Sequence, residues 1–140
     1  MDQPHIKSSY DAYALFTDSW EDGKMELQEQ FRVMLLDRKN SVMGIATVAT
    51  GGMSDCMVDL KLVFALALKA RASSIIVAHN HPSGNDKFSD ADKKLTTKLV
   101  GVGKMLDLPV LDHLVITKHG YSSFADNGLI QSAATPTMAM

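Results

Sequence analysis

Ser73-Ser74-Ile75-Ile76-Val77-Ala78-His79-Asn80-His81-Pro82-Ser83-Gly84 is the stretch whose reading decides the fold. Residues 73–79 form a short apolar run bounded by turn residues, the pattern of a central strand buried on both faces. Alternate residues on a strand share a face, so His79 and His81 present two imidazoles to one point in space, a metal-ligand geometry. Pro82-Ser83-Gly84 turns the chain sharply, and the loop through Phe88 leads to Ser89, where a long helix begins. Asp92 lies one turn into that helix.

Outward from this strand, turn and helix, the remaining elements follow from periodicity. Upstream, Asp59 caps a helix over 59–72, with Leu62, Val63, Leu66 and Ala70 on its apolar face, and the spacing predicts that it is mostly buried. Before it, 29–37 and 42–50 are rich in Val, Ile, Leu and Thr, and the polar, turn-prone interval from Asp37 to Ser41 makes them a β-hairpin that ends at Gly51-Gly52. Ser8 or Ser9 caps an amino-terminal helix through Tyr10, Tyr13, Ala14 and Phe16 as far as Trp20, before Gly23 breaks it. Downstream, the helix from Ser89 to about Leu106 shows Leu95, Leu99, Val102 and Leu106 on one face, and Pro109 stops it. Residues 111–117 form another strand, and Lys118-His119-Gly120 turns into a last short one at 121–124. The order α-β-β-α-β-α-β-β predicts an α/β fold with a mixed sheet flanked by helices, as one domain over 1–131. A tail over 132–140 has no period and is expected to be frayed.

Bulk properties narrow the function classes. A chain of 140 residues can bury roughly 68% of its unfolded surface, enough for a real core. The net charge of −2 gives no overall basic footprint, so nucleic acid is not an expected direct partner. Cys56 is the only cysteine, which excludes an internal disulfide, a CxxC redox pair and a zinc site with several thiolates. A reducing cytoplasm fits this usage. No run approaches the roughly 18 apolar residues of a membrane span, and residues 1–20 lack a basic start followed by an apolar stretch, so neither export nor a membrane partner is expected.

Two neutral imidazoles and one carboxylate suit Zn²⁺, and three protein ligands leave a fourth tetrahedral position open for water. Zinc lowers the pKa of such a water to about 7 and polarises a substrate carbonyl. A general base and an oxyanion partner are still required.

His79-Asn80-His81, seven residues, then Ser89 and Asp92 reproduce the HxH-x7-SxxD spacing, and the chain resembles the JAMM metalloproteases of the JAB/MPN family. AHNHPSG at 78–84, LDHLVIT at 111–117 and YSSFADNGLI at 121–130 are similar to its RadC-like branch, and the likeness extends from about Lys7 to Ile130. The resemblance implies a JAB/MPN-like fold, zinc held by His79, His81 and Asp92, and Ser89 hydrogen-bonded to the tetrahedral intermediate. It also implies an upstream glutamate that handles the proton. Glu29, in Glu29-Gln30-Phe31, fits the branch's run into its early strand, and Glu26 is the nearby alternative. Such a carboxylate accepts the proton of the attacking water and returns it to the leaving amine. The implied activity is hydrolysis of peptide or isopeptide bonds, with a peptide or protein as substrate. The helix-hairpin-helix region of full-length RadC proteins is missing from this sequence, so a DNA-binding role drawn from that region does not transfer.

Plainer readings compete at several positions. Ser-x-x-Asp before an apolar helix is also an ordinary capping arrangement, and in Ser89 the two roles are compatible. Glu29 is alternatively a solvated carboxylate at a strand edge. Asp112-His113 reads equally as a hydrogen-bond partner to a zinc histidine or as a bonded pair at the edge of the core. His5 and His119 are expected at the solvated surface, Cys56 as a small inert thiol, and the nine methionines as core fillers or tail. A zinc nucleoside deaminase needs a Pro-Cys-x-x-Cys, which one cysteine cannot supply. A second function class is a zinc-containing module without protease activity, acting in DNA repair or on mobile DNA beside DNA-processing proteins, as the resemblance to the RadC-like branch implies.

Overall fold

A computed structural model describes residues 3–21, 23–51 and 58–131. Eight elements occur in the order α1 (Ser9–Asp18), β1 (Gln30–Leu36), β2 (Val42–Thr50), α2 (Leu60–Lys69), β3 (Ser74–Asn80), α3 (Asp90–Met105), β4 (Val110–Thr117) and β5 (Gly120–Ser123). This is the α-β-β-α-β-α-β-β order expected from the sequence. The thiol of Cys56 and the tail over 132–140 lie outside the described residues.

The strands form one mixed sheet in the order β2-β1-β3-β4-β5. β3 and β4 run parallel with α3 as their crossover, and the other pairs are antiparallel. Every residue of β3 is buried, as its unbroken apolar run requires, because helices cover both faces of the sheet. Ile75 and Val77 join Phe31, Val33 and Val110 under α2 and α3, while Ile76 and Ala78 join Met34, Leu114 and Ile116 under α1. His79 continues the first set, so its ring emerges on the α2/α3 side at the carboxyl end of the central strand.

Local chemistry sets the boundaries. Ser8 caps α1 through Asp11 N–H, and Asp59 caps α2 through Lys61 N–H. In the hairpin turn, Asp37 Oδ1 accepts from Lys39 N and Ser41 N at 2.8 and 2.9 Å, and Asn40 takes the left-handed conformation with φ 59°. Among the described residues no helix is long and apolar enough to cross a membrane.

The helical faces differ in phase from the sequence expectation. In α2 the buried residues are Val63, Phe64 and Ala67, whereas Leu62 is 43% exposed and Leu68 is 54% exposed. The helix is therefore half-buried. LKLVFALAL is apolar on nearly all sides, so its periodicity does not select a face. In α3 the inward line is Asp92, Thr96, Leu99 and Gly103, with Leu95 and Val102 at its flank and Leu106 at the helix end, 41% exposed. Polar and small residues occupy that line because it runs from the site at one end to a close backbone approach at the other. A Cβ on Gly103 would lie 2.5 Å from the carbonyl oxygen of Leu108.

Candidate metal centre

Three elements deliver the site. β3 ends at Asn80 with His79 buried, and His81 follows while its backbone N–H still donates to Ile116 at 2.9 Å, so the ladder to β4 holds both histidines in strand register. The turn at Gly84, φ 88°, then sends the chain to Ser89, the N-cap of α3. There Ser89 Oγ accepts from Asp92 N at 3.0 Å and Asp92 Oδ2 accepts from Ser89 N at 2.9 Å, a reciprocal capping box that fixes the carboxylate.

The donor atoms converge. His79 Nε2 lies 3.0 Å from Asp92 Oδ1, His81 Nε2 lies 3.3 Å from Asp92 Oδ2, and the two Nε2 atoms are 3.0 Å apart. One ligand atom from each residue falls within 4.8 Å of the others. Ligands about 2.0–2.1 Å from a tetrahedral zinc sit roughly 3.3 Å from one another, the spacing observed here. His81 Nδ1 donates to the Asn85 carbonyl at 2.6 Å, which leaves the lone pair of its Nε2 available to a metal. Two ring nitrogens and a carboxylate crowded this closely need a cation or protons among them, and the donor set fits a metal ion.

The electrostatics agree. Burial works against ionisation of Asp92, but the adjoining His79 and His81 rings and the Ser89 N–H hold its carboxyl far below the usual carboxylate range. The hydrogen bond that Asp92 accepts from the protonated ring raises His81 above the ordinary histidine value, against burial. The cation-attracting field is therefore built in.

A cavity of about 380 Å³ opens over these ligands, lined by Glu29, Phe31 and Ser89 as well as by His79, His81 and Asp92. The structure thus brings together all five residues of the expected set. Ser89 Oγ accepts from Asp92 N and so keeps its own proton for a group in the cavity. Glu29 is half-buried at the entrance to β1. Glu26 is exposed, outside the cavity lining, with its carboxylate 3.7 Å from Lys118 Nζ.

Two positions gain meaning that sequence reading did not give them. Asn80, fully buried on the face opposite the histidines, accepts from Gln30 N at 2.7 Å and donates to Met25 O and Gln28 O at 2.8 and 2.9 Å. It clamps the segment carrying Glu29 from both sides. The signal was available: a polar residue in a fully buried strand must find partners. Thr96 is the other, on the same inward line as Asp92, and it contacts His113.

The Asp112-His113 pair divides. His113 Nε2 lies 2.8 Å from His79 Nδ1, and the buried His113 ring stacks on Phe124 at 4.8 Å. Burial first, then the neighbouring histidines, keep His113 well below the ordinary histidine range, so it is neutral. Asp112 instead accepts from His113 N, Ser123 Oγ and Ala125 N, away from the ligands. His5 and His119 are exposed, and His5 Nε2 also contacts Ser41 Oγ at 2.9 Å.

The family model that matches this chain describes a RadC-like JAB domain and covers residues 6–129. A UPF0758 protein of Flavobacterium johnsoniae is 44% identical over 101 residues, which cover 72% of this chain and 44% of that protein. One of Symbiobacterium thermophilum is 41% identical, covering 73% and 44%. Another, of Protochlamydia amoebophila, is 37% identical over 125 residues, covering 89% and 53%. The chain spans about half the length of the curated relatives it matches.

Proposed function

The chain belongs to the RadC-like JAB family, and from that premise we propose that it is a zinc-dependent hydrolase of the JAMM type, cutting peptide or isopeptide amide bonds in a peptide or protein. The observation that carries this reading is the convergence of two imidazole nitrogens and a carboxylate on the floor of a cavity that Glu29 and Ser89 also line.

Zinc in that cradle would acidify a water and polarise the scissile carbonyl, the two things uncatalysed amide hydrolysis lacks at neutral pH. His79, His81 and Asp92 would hold the ion, with Asp92 oriented by the capping box. Glu29 takes the proton of the attacking water and returns it to the leaving amine, a general base that becomes a general acid. Ser89 donates its free hydroxyl proton to the oxygen that develops negative charge. Asn80 keeps Glu29 at the cavity by bonding the backbone on either side of it. Glu26, paired with Lys118 at the surface, has no part in this scheme.

Metal analysis of purified protein is expected to give about one zinc per chain, lost in the His79→Ala, Asp92→Ala double variant. Undiminished zinc in that variant would sink the site. A metal-dependent cleavage screen over peptides and ubiquitin-like conjugates, with Glu29→Gln as blank, tests the reaction. The glutamine variant should keep its metal and lose turnover by about 10²–10⁴-fold. A module that holds metal without turnover would tolerate the change.

A further inference from the structure

Behind the ligands, outside the cavity lining, Thr96 of α3 and His113 of β4 join His79 to the backbone of Asp92 in one hydrogen-bonded line. We propose that Thr96 and His113 are positioning residues that fix the ring tautomer of His79, so that its Nε2 offers a lone pair to the metal. The proposal rests on reading the site as a metal centre.

Proton counting gives the line a single direction. The Asp92 carbonyl can only accept, so the one hydroxyl proton of Thr96 is committed to it at 2.8 Å. Thr96 Oγ1 then has only a lone pair for His113 Nδ1, 2.6 Å away, and that nitrogen must carry the hydrogen. The His113 ring is fully buried between Phe124 and the edge of Phe31, and among the described residues no carboxylate bonds to it. A neutral ring has one N–H, already given to Thr96, so His113 Nε2 accepts. At 2.8 Å its donor is His79 Nδ1–H. His79 Nε2 is left bare, 3.0 Å from Asp92 Oδ1 and facing the metal position.

The opposite order would place a hydrogen on His79 Nε2, pointing at the cation's place and excluding it. Thr96 sets the order, because it is the member with a single proton and a neighbour that cannot donate. The circuit leaves from the Asp92 carbonyl and returns beside the Asp92 carboxylate, so one ligand orients another through two residues that never touch the ion. His81 obtains the same tautomer from the exposed loop carbonyl of Asn85. Of the two histidines, only His79 is set by the packing of α3 against β4.

The test uses the full chain labelled with ¹⁵N-histidine. Proton–nitrogen correlation spectra of metal-free protein at about pH 8, above the ordinary histidine range, report which ring nitrogen of each histidine carries hydrogen. The expected result for His113 is Nδ1–H. Zinc affinity is then read by competition with a chromophoric chelator in Thr96→Val, which keeps shape and removes both hydrogen-bonding functions, and in Thr96→Ser, which keeps them. Thr96→Val should lose about 10–100-fold in affinity and Thr96→Ser should stay close to wild type. His113 carrying Nε2–H in the wild type, or a folded Thr96→Val that binds zinc like the wild type, overturns the proposal. If Thr96→Val does not fold, the wild-type spectrum still decides. A wild type without zinc affinity but with His113 Nδ1–H supports the relay and overturns the metal reading. Zinc binding with His113 Nε2–H does the reverse.

Discussion

Asp112 and His113 are neighbours with unrelated duties. Asp112 ties β4 to β5 and the turn beyond it by accepting from Ser123 Oγ at 2.6 Å and Ala125 N at 2.9 Å, besides His113 N at 2.7 Å. Burial raises its carboxyl above the ordinary value, and these three bonds offset only part of that. A carboxyl raised on folding favours the folded state fully below its unfolded value, and that contribution fades as pH climbs through the folded one. Asp112→Asn cannot ionise, so denaturant unfolding should show the variant gaining on the wild type as pH rises from about 4 upwards. A flat difference across that range would contradict the assignment. In the sequence this pair carried two readings of equal weight; the structure sets His113 against His79 and Asp112 among the donors of β4, β5 and the turn beyond. Strand alternation already forces neighbours onto opposite faces. Which of them meets His79 depends on the pairing of Val77 with His113 across the parallel ladder, a contact between chain segments far apart. Local pattern does not carry that information.

At the scale of elements, boundaries were legible to within about three residues, most closely where caps and breakers announce them: Ser8 and Asp59 at helix starts, Pro109 after α3, Gly51 after β2. The rotational phase of the helices was not. In α3 the leucines suggest a face, yet the line turned inward passes through Asp92, Thr96 and Gly103, chosen by the site and by how closely the helix approaches the Leu108 backbone. Two glycines two residues apart, on different faces of the helix, test this. Gly103→Ala forces a Cβ against the Leu108 carbonyl and should cost about 1–3 kcal/mol. Gly101→Ala meets nothing within 4 Å and should gain about 0.5–1 kcal/mol from helix propensity. Thermal unfolding of the pair checks the contrast, and equal effects would mean that α3 does not sit as described.

For the molecule as a whole, the fold brings the end of a central strand, the start of a helix and the approach to an earlier strand to one place. The HxH and SxxD spacings were readable because each is local to its element. The position of Glu29 was not, since it depends on Asn80 reaching across to the segment before β1. Asn80→Ala would leave Gln30 N and the Met25 and Gln28 carbonyls unpaired beside a buried strand, at about 2–4 kcal/mol. Urea unfolding combined with metal analysis should find the variant weakened but with its metal stoichiometry intact, because the ligands lie on the other face. Loss of metal from folded protein would break that separation. Asp92, finally, belongs to two structures at once: the capping box that starts α3 and the cradle beneath the cavity. Its rotamer is settled when the helix forms, whether or not an ion ever arrives. A cation bound there would therefore meet a finished receptacle, lose little affinity to ordering the chain around itself, and be free to leave and return without unwinding the helix that carries Asp92.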